Sequence, residues 1–193
     1  YSTLESDLSH YRSQYGLPAC TTASGCLKIV NQNGQTSPLP NDPPSNDDWT
    51  TETALDVDMA SAACPRCKIV VVQADDDQGD GLLIANNTAA SLGATVISNS
   101  WGGPESSFTL PSQDSYFDHA GVGIFVSAGD DGYNDGGQGP DYPATSANVI
   151  AVSGTSITKT TGGRGWTETA WSSGGSACSL PIPKPAYQPG TMC

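Results

Sequence analysis

A chain of 193 residues is a little long for a single β-sandwich and comfortable for one α/β domain with a real core. Its 22 glycines and 14 prolines mark many turns, yet apolar residues are plentiful enough to exclude wholesale disorder. Seven Lys and Arg against twenty Asp and Glu give a formal net charge of −13 at pH 7, a field that repels nucleic acid and anionic membranes and excludes both as partners.

The first predicted element is an amphipathic helix over 3–15. Leu4, Leu8, Tyr11 and Tyr15 recur at helical steps, Ser2 and Glu5 have capping-box spacing, and Gly16 stops it. A short strand follows over 27–30, and the Asn/Pro/Asp/Ser-rich stretch 31–48 reads as a surface loop. A second helix spans about 50–62 with Thr50 or Thr51 as N-cap and Pro65 beyond its end. The β-branched run 68–73 suits a strand buried on both faces. Further on come a helix over 82–92, a strand over 95–100, a short helix over 113–119, a buried strand over 123–128 and another strand over 148–152. Helices alternating with buried strands argue for a mostly parallel, doubly wound α/β sheet with its strand C-termini along one edge, where ligands bind in such folds. The tail 174–193 is Pro/Gly-rich and tied by a cysteine pair. With no repeat and no linker, residues 1–193 read as one domain.

Six cysteines fall into three sequence-local pairs, Cys20 with Cys26, Cys64 with Cys67 and Cys178 with Cys193. Fifteen connectivities are open in principle, and the local one is favoured because short loops close cheaply. The rival for Cys64-Pro-Arg-Cys67 is a redox or zinc motif. Zinc wants a second close pair of ligands, and the spacing of Cys20 and Cys26 with only His10 and His119 in reserve supplies a poor one. Structural disulfides imply an oxidising, extracellular compartment. No apolar run approaches membrane-spanning length. The chain opens at Tyr1 without initiator Met, signal peptide or pro-segment, as a processed or excised product would. Its acidity either serves solubility alone or suits a working pH near the isoelectric point of about 4.1.

Glu52 and Asp56, four apart on the second helix, share one face. Either they belong to a solvated acidic face, as nearby Asp58 suggests, or they share a proton and titrate together. Asp130 lies in a Gly-Asp-Asp-Gly turn at the end of the 123–128 strand, placed either to cap the turn or to face the cleft. Asp75, Asp76, Asp77, Asp80, Asp130, Asp131 and Asp135 raise the thought of calcium, but their spacing does not fit an EF-hand loop.

Together these residues resemble a known family. Glu52-Thr-Ala-Leu-Asp56, Ser100-Trp101-Gly102-Gly103-Pro104-Glu105 and Ala128-Gly129-Asp130-Asp131-Gly132 are similar to motifs of the sedolisins, the serine-carboxyl peptidases. Tyr142-Pro143-Ala144, the run from Val149 to Ser156, and Glu168-Thr169-Ala170-Trp171 with Lys184-Pro185-Ala186-Tyr187-Gln188 continue the match in order. The resemblance implies a subtilisin-like fold and a secreted, acid-acting endopeptidase. Glu52 would be its general base, Asp56 the acid that orients the base, and Asp130 the oxyanion donor. Ser100, Trp101, Gly102 and Gly103 would form the strand that pairs with an extended peptide substrate. A carboxyl base has a reference pKa of about 4.3 against about 6.5 for His, so it stays able to accept a proton in acid. An Asp donates to an oxyanion only when protonated.

The family nucleophile is a Ser in a Gly-Thr-Ser segment that opens a helix. The Gly154-Thr155-Ser156 of this chain is followed by the β-branched, Gly-rich run 157–162, which does not open a helix, so the chain is expected to end before its nucleophile. The family's calcium site would also lie beyond Cys193, leaving no cofactor or metal in this chain. The expected partners are a peptide or denatured-protein substrate and either a C-terminal fragment of the same protein or a second copy. The competing reading is a non-catalytic sedolisin-like module that binds peptides or self-assembles.

Overall fold

Leu4 and Leu8 stand one turn apart on a helix and are both 1% exposed, which places the inner face of the N-terminal segment. In the computed structural model, which describes residues 1–78, 80–107, 112–191 and 193, that segment is helix α1, Leu4–Gln14. Gly16, in the left-handed region at φ 65°, ends it as expected. The capping box does not form. Thr3 is the N-cap without a side-chain bond, the Ser2 amide and hydroxyl donate to Asp42, and the Glu5 carboxylate accepts from the Thr22 amide and hydroxyl. Loops that the sequence pattern cannot place have taken both capping side chains.

The described residues form two compact units, Tyr1–Thr95 and Val96–Cys193. In the first, strand β1 (Leu27–Asn31) pairs in parallel with β2 (Ile69–Gln73), Leu27 opposite Ile69 and Asn31 opposite Gln73. Helix α2 (Trp49–Ala63) begins earlier than the threonines suggested, because the Asp47 carboxylate accepts the Trp49 amide and turns the chain into the helix sooner. Leu4, Leu8, Cys20, Leu27 and Val57 form the core, with Cys26, Ile29, Ile69 and Val71 against it. Arg12 is buried with them, donating to the Pro18 carbonyl, the Ser61 hydroxyl and the Pro65 carbonyl. Helix α3 (Gly81–Ser91) packs on β2. β2 itself is half-buried at every position rather than buried on both faces, since among the described residues it pairs only with β1.

In the second unit β3 (Val96–Asn99), β5 (Gly123–Ser127) and β7 (Ile150–Val152) make a parallel sheet with β5 in the middle. Ile97, Ile124, Val126 and Phe117 are buried, whereas β7 is exposed along its length. Between them β4 (Gly103–Pro104) pairs antiparallel with β6 (Asp141–Tyr142). The expected helix at 113–119 is a single 3-10 stretch, Ser112–Phe117. It buries Phe117, and too few residues follow to nucleate an α-helix. The sequence reading lacked a hairpin that the structure has: β8 (Thr155–Lys159) against β9 (Trp166–Ala170). The run after Gly154 is therefore a strand and opens no helix. Among the described residues no helix is long and apolar enough to cross a membrane.

All three local disulfides form. Cys20 bonds Cys26 with a Cα–Cα separation of 5.0 Å, and Cys64–Cys67 and Cys178–Cys193 each span 5.4 Å. Cys64 and Cys67 thus close the turn after α2 rather than hold a metal. Cys26 does more than the sequence reading gave it. Besides closing the loop to the buried Cys20, its carbonyl accepts the Ile69 amide at 2.8 Å and so brings β2 alongside the start of β1. Its sulfur also lies 3.5 Å from the Cys67 carbonyl. A disulfide sulfur carries no proton, so this is a packing contact and not a hydrogen bond. It sets the first two bridges against each other, a proximity that cysteine spacing does not reveal.

Candidate active site

The acid pair depends on α2 being unbroken. Its 15 residues keep the helical period through the first two turns, so Glu52 and Asp56 sit one above the other. Both are half-buried, while Thr51, Leu55 and Met59 beside them are exposed and Val57 and Ser61 face the core. The pair therefore lies at the margin of the buried face, not on the outermost stripe where a solvated acid would sit. The Glu52 amide makes the first helical bond, 3.0 Å to the Asp48 carbonyl. At the other end of α2 the buried Arg12 guanidinium joins Ser61 and, at 2.7 Å, the Pro65 carbonyl, complementing the negative end of the helix dipole.

Asp130 sits in the second unit, exposed, where β5 delivers the chain into the Gly129-Asp-Asp-Gly132 turn. Gly129 at φ 97° and Gly132 at φ 77° make this turn possible, because side chains rarely adopt that region. The segment 172–176 is stitched to the turn by backbone bonds. The Gly175 amide donates to the Gly129 carbonyl at 2.7 Å, Gly132 to Ser173 at 2.9 Å, and Asn134 to Ser176 at 2.9 Å. A Cβ on Gly175 would run into the Ala128 carbonyl, so only glycine permits this approach.

Ser100, Trp101, Gly102 and Gly103 leave the same C-terminal edge of the parallel sheet, one strand over, since Asn99 of β3 lies opposite Val126 of β5. Gly103 already pairs with Tyr142. The Trp101 indole donates to Asn99 at 3.3 Å and its ring packs 6.2 Å from Phe117, which in turn meets Tyr142 edge-on at 5.9 Å. Burial drives the Tyr142 phenol far above its ordinary range, and the neighbouring Asp114 carboxylate adds to this.

Beside the turn lies a cavity of about 280 Å³ whose lining includes Asp131, Asp135, Asp141, Thr145, Ser153 and Gly175. The Thr145 hydroxyl is buried there without a hydrogen-bond partner. Burial raises the Asp141 pKa, and the charges of Asp135, Asp131 and Asp130 push it further the same way. Asp141 and the 172–176 segment are the site residues that motif reading missed. The Ser-Ser-Gly-Gly-Ser run was a usable signal for close backbone approach; nothing in the sequence placed Asp141 against Gly129.

Glu52 and Asp56 thus come together in the first unit. Asp130 and the 100–103 segment share one sheet edge in the second. Ser156 lies within β8 opposite Thr169, exposed, on a strand and not at a helix N-terminus. Among the described residues no three His, Cys, Asp or Glu side chains are arranged to hold a metal ion.

The subtilase family model matches residues 40–185. Kumamolisin of Bacillus sp. (strain MN-32) is 32% identical over 95% of this chain and 35% of its own length. Sedolisin of Pseudomonas sp. (strain 101) is 30% identical over 87% of this chain and 31% of its own. This chain therefore spans about a third of the curated relatives it matches. Among solved structures, Pseudomonas sedolisin (serine-carboxyl proteinase), complexed with two molecules of pseudo-iodotyrostatin, superposes with a TM-score of 0.78 at 26% identity. The match covers 97% of this chain and 57% of that one, and it identifies the fold as subtilisin-like. The chain belongs to the subtilase family, on its sedolisin (serine-carboxyl peptidase) branch.

Proposed function

We propose that this chain carries the acid half of the machinery of a secreted, acid-acting serine-carboxyl endopeptidase, as part of one peptidase domain whose nucleophilic serine lies outside it. Glu52 accepts the proton of that serine, Asp56 orients Glu52, and Asp130 donates a hydrogen bond to the developing oxyanion. The observation that carries the reading is the half-buried Glu52–Asp56 pair, one turn apart at the margin of the core. A carboxylate base remains functional where histidine would already be protonated. An aspartic acid donates to an oxyanion only in its protonated form, which suits an acid-acting enzyme. The peptide runs in extended form along Ser100, Trp101, Gly102 and Gly103. The cavity beside Asp141 receives one of its side chains. The calcium site of the family belongs to the portion carrying the serine. Three disulfides support an extracellular setting.

Leu55 is 51% exposed and Met59 47% beside the acid pair, and Ile150, Val152 and Ile157 are exposed in the second unit. Apolar surface of this kind is covered in a working protein by a C-terminal portion of the same polypeptide or by a second copy. The same exposure favours a second reading, a non-catalytic module that binds peptides or self-assembles. The test is cleavage of denatured protein at acid pH by the chain alone and by a longer gene product. The chain alone is expected to be inactive. The longer product is expected to be active and to lose roughly 10²–10³-fold in kcat with Glu52→Gln or Asp130→Ala. It should be indifferent to Ser156→Ala. Full activity of the Glu52→Gln variant would overturn the assignment, and an inactive longer product would favour the module.

A further inference from the structure

Helix α2 has an unusual start. Its N-cap, Asp48, makes no side-chain cap bond, and the local support of the first turn comes from the Asp47 carboxylate, which accepts the Trp49 amide at 3.2 Å. The first turn is also held from a distant segment. The Trp49 indole Nε1 donates to Asp77 Oδ2 at 3.0 Å across 28 residues of sequence, and the other oxygen of Asp77 accepts from the Gln78 side-chain amide at 3.0 Å. Asp77 belongs to the turn between β2 and α3, which is itself pinned. The Asp75 amide donates to Gln32 Oε1 at 2.9 Å, the Thr88 hydroxyl donates to the Gln32 carbonyl, and Gly81 approaches the Asp76 carbonyl so closely that a Cβ would sit 2.9 Å from it. A line of contacts therefore runs from Gln32 through the turn to Asp77, then to Trp49 and the first turn of α2. Trp49 is three residues before Glu52 and so its neighbour on the helix surface.

We propose that Trp49 and Asp77 form a positioning pair that fixes the first turn of α2, and with it the register and direction of Glu52. The inference rests on reading Glu52 as the base, but the pair's effect on the turn can be measured without that reading. Asp77 is exposed, so the bond contributes little to global stability and acts locally. The indole and the Gln78 amide both favour its ionised form, holding the Asp77 carboxyl below its ordinary range, so the acceptor keeps its charge into acid.

The experiment uses the chain as it is and the longer active product in parallel. In the chain, amide exchange at Glu52, the first helical bond, is compared with exchange at the buried Val57 in the third turn. Trp49→Phe and Asp77→Ala should each accelerate Glu52 exchange by about three- to tenfold with Val57 unchanged. Asp77→Asn, which retains an acceptor oxygen, should fall between them and the parent. The double variant should be no faster than either single one, because both remove the same bond. In the longer product the same variants should lower kcat by about three- to tenfold with KM unchanged, since a small misplacement of the base weakens chemistry and not binding. Unchanged Glu52 exchange, or additive effects in the double variant, would overturn the proposal. Altered exchange with unaltered kcat would confirm the pair and refute Glu52 as the base, so the two failures are distinguishable.

Discussion

Replacing Arg12 with methionine keeps an apolar stem of similar length and removes a guanidinium that is 1% exposed. Three acceptors lose their donor: the Pro18 carbonyl, the Ser61 hydroxyl and the Pro65 carbonyl. Ser61 is 0% exposed and water has no ready route to it. A hydrogen bond from a charged group contributes about 1.5–3 kcal/mol, and three would sum to more than is lost, because burying the guanidinium itself carries a desolvation cost that methionine relieves. The Ser61 hydroxyl can also turn to another acceptor. A net loss of about 3 kcal/mol follows. With a urea dependence of about 2–3 kcal/mol/M, that lowers the unfolding midpoint by about 1–1.5 M. Equilibrium urea unfolding followed by circular dichroism measures it, with Arg12→Lys as an intermediate because one ammonium cannot span all three acceptors. A midpoint for Arg12→Met within about 0.2 M of the parent would refute the reasoning, showing that the buried charge is no net support for the end of α2.

Two further outcomes follow from the second unit. Asp141 has its folded pKa raised by burial and by Asp135, Asp131 and Asp130, so the folded state holds its proton to higher pH than the unfolded chain does. Its ionisation therefore costs stability as pH rises above the ordinary aspartate value of about 3.9 through the raised folded value, and the cost is absent below that window. Asp141→Asn should raise the thermal midpoint at pH 7 and leave it unchanged at pH 3; equal shifts at both pH values would show that charge is not the cause. Gly175→Ala forces a Cβ into the Ala128 carbonyl and parts the segment 172–176 from the Asp130 turn. A loss of about 3 kcal/mol, seen as a fall of about 6–12 °C in Tm, is expected; a Tm within 2 °C of the parent, on the order of the shift per kcal/mol at this chain length, would mean the close approach is not kept in solution.

Periodicity alone located most of the regular elements. The Leu4/Leu8 repeat, the β-branched run ending at Gln73 and the strand ending at Ser127 all appear within a residue or two of their expected bounds, because each is specified by residues a few positions apart. The Glu52–Asp56 spacing likewise put two acids on one face before any fold was known, and local chain closure was enough to pair Cys20 with Cys26, Cys64 with Cys67 and Cys178 with Cys193. Tertiary structure decided whatever depends on partners distant in sequence. Ser2 and Glu5 abandoned their capping box for Asp42 and Thr22, Arg12 reached Ser61 and Pro65, Cys26 met Cys67 and Ile69, and Trp49 found Asp77. Asp141 came to lie against Gly129, and 172–176 was laid along the Asp130 turn. Helical and strand periods are short-range and written in the chain. Hydrogen-bond partners and local electric fields are set by proximity in space, which no local pattern encodes.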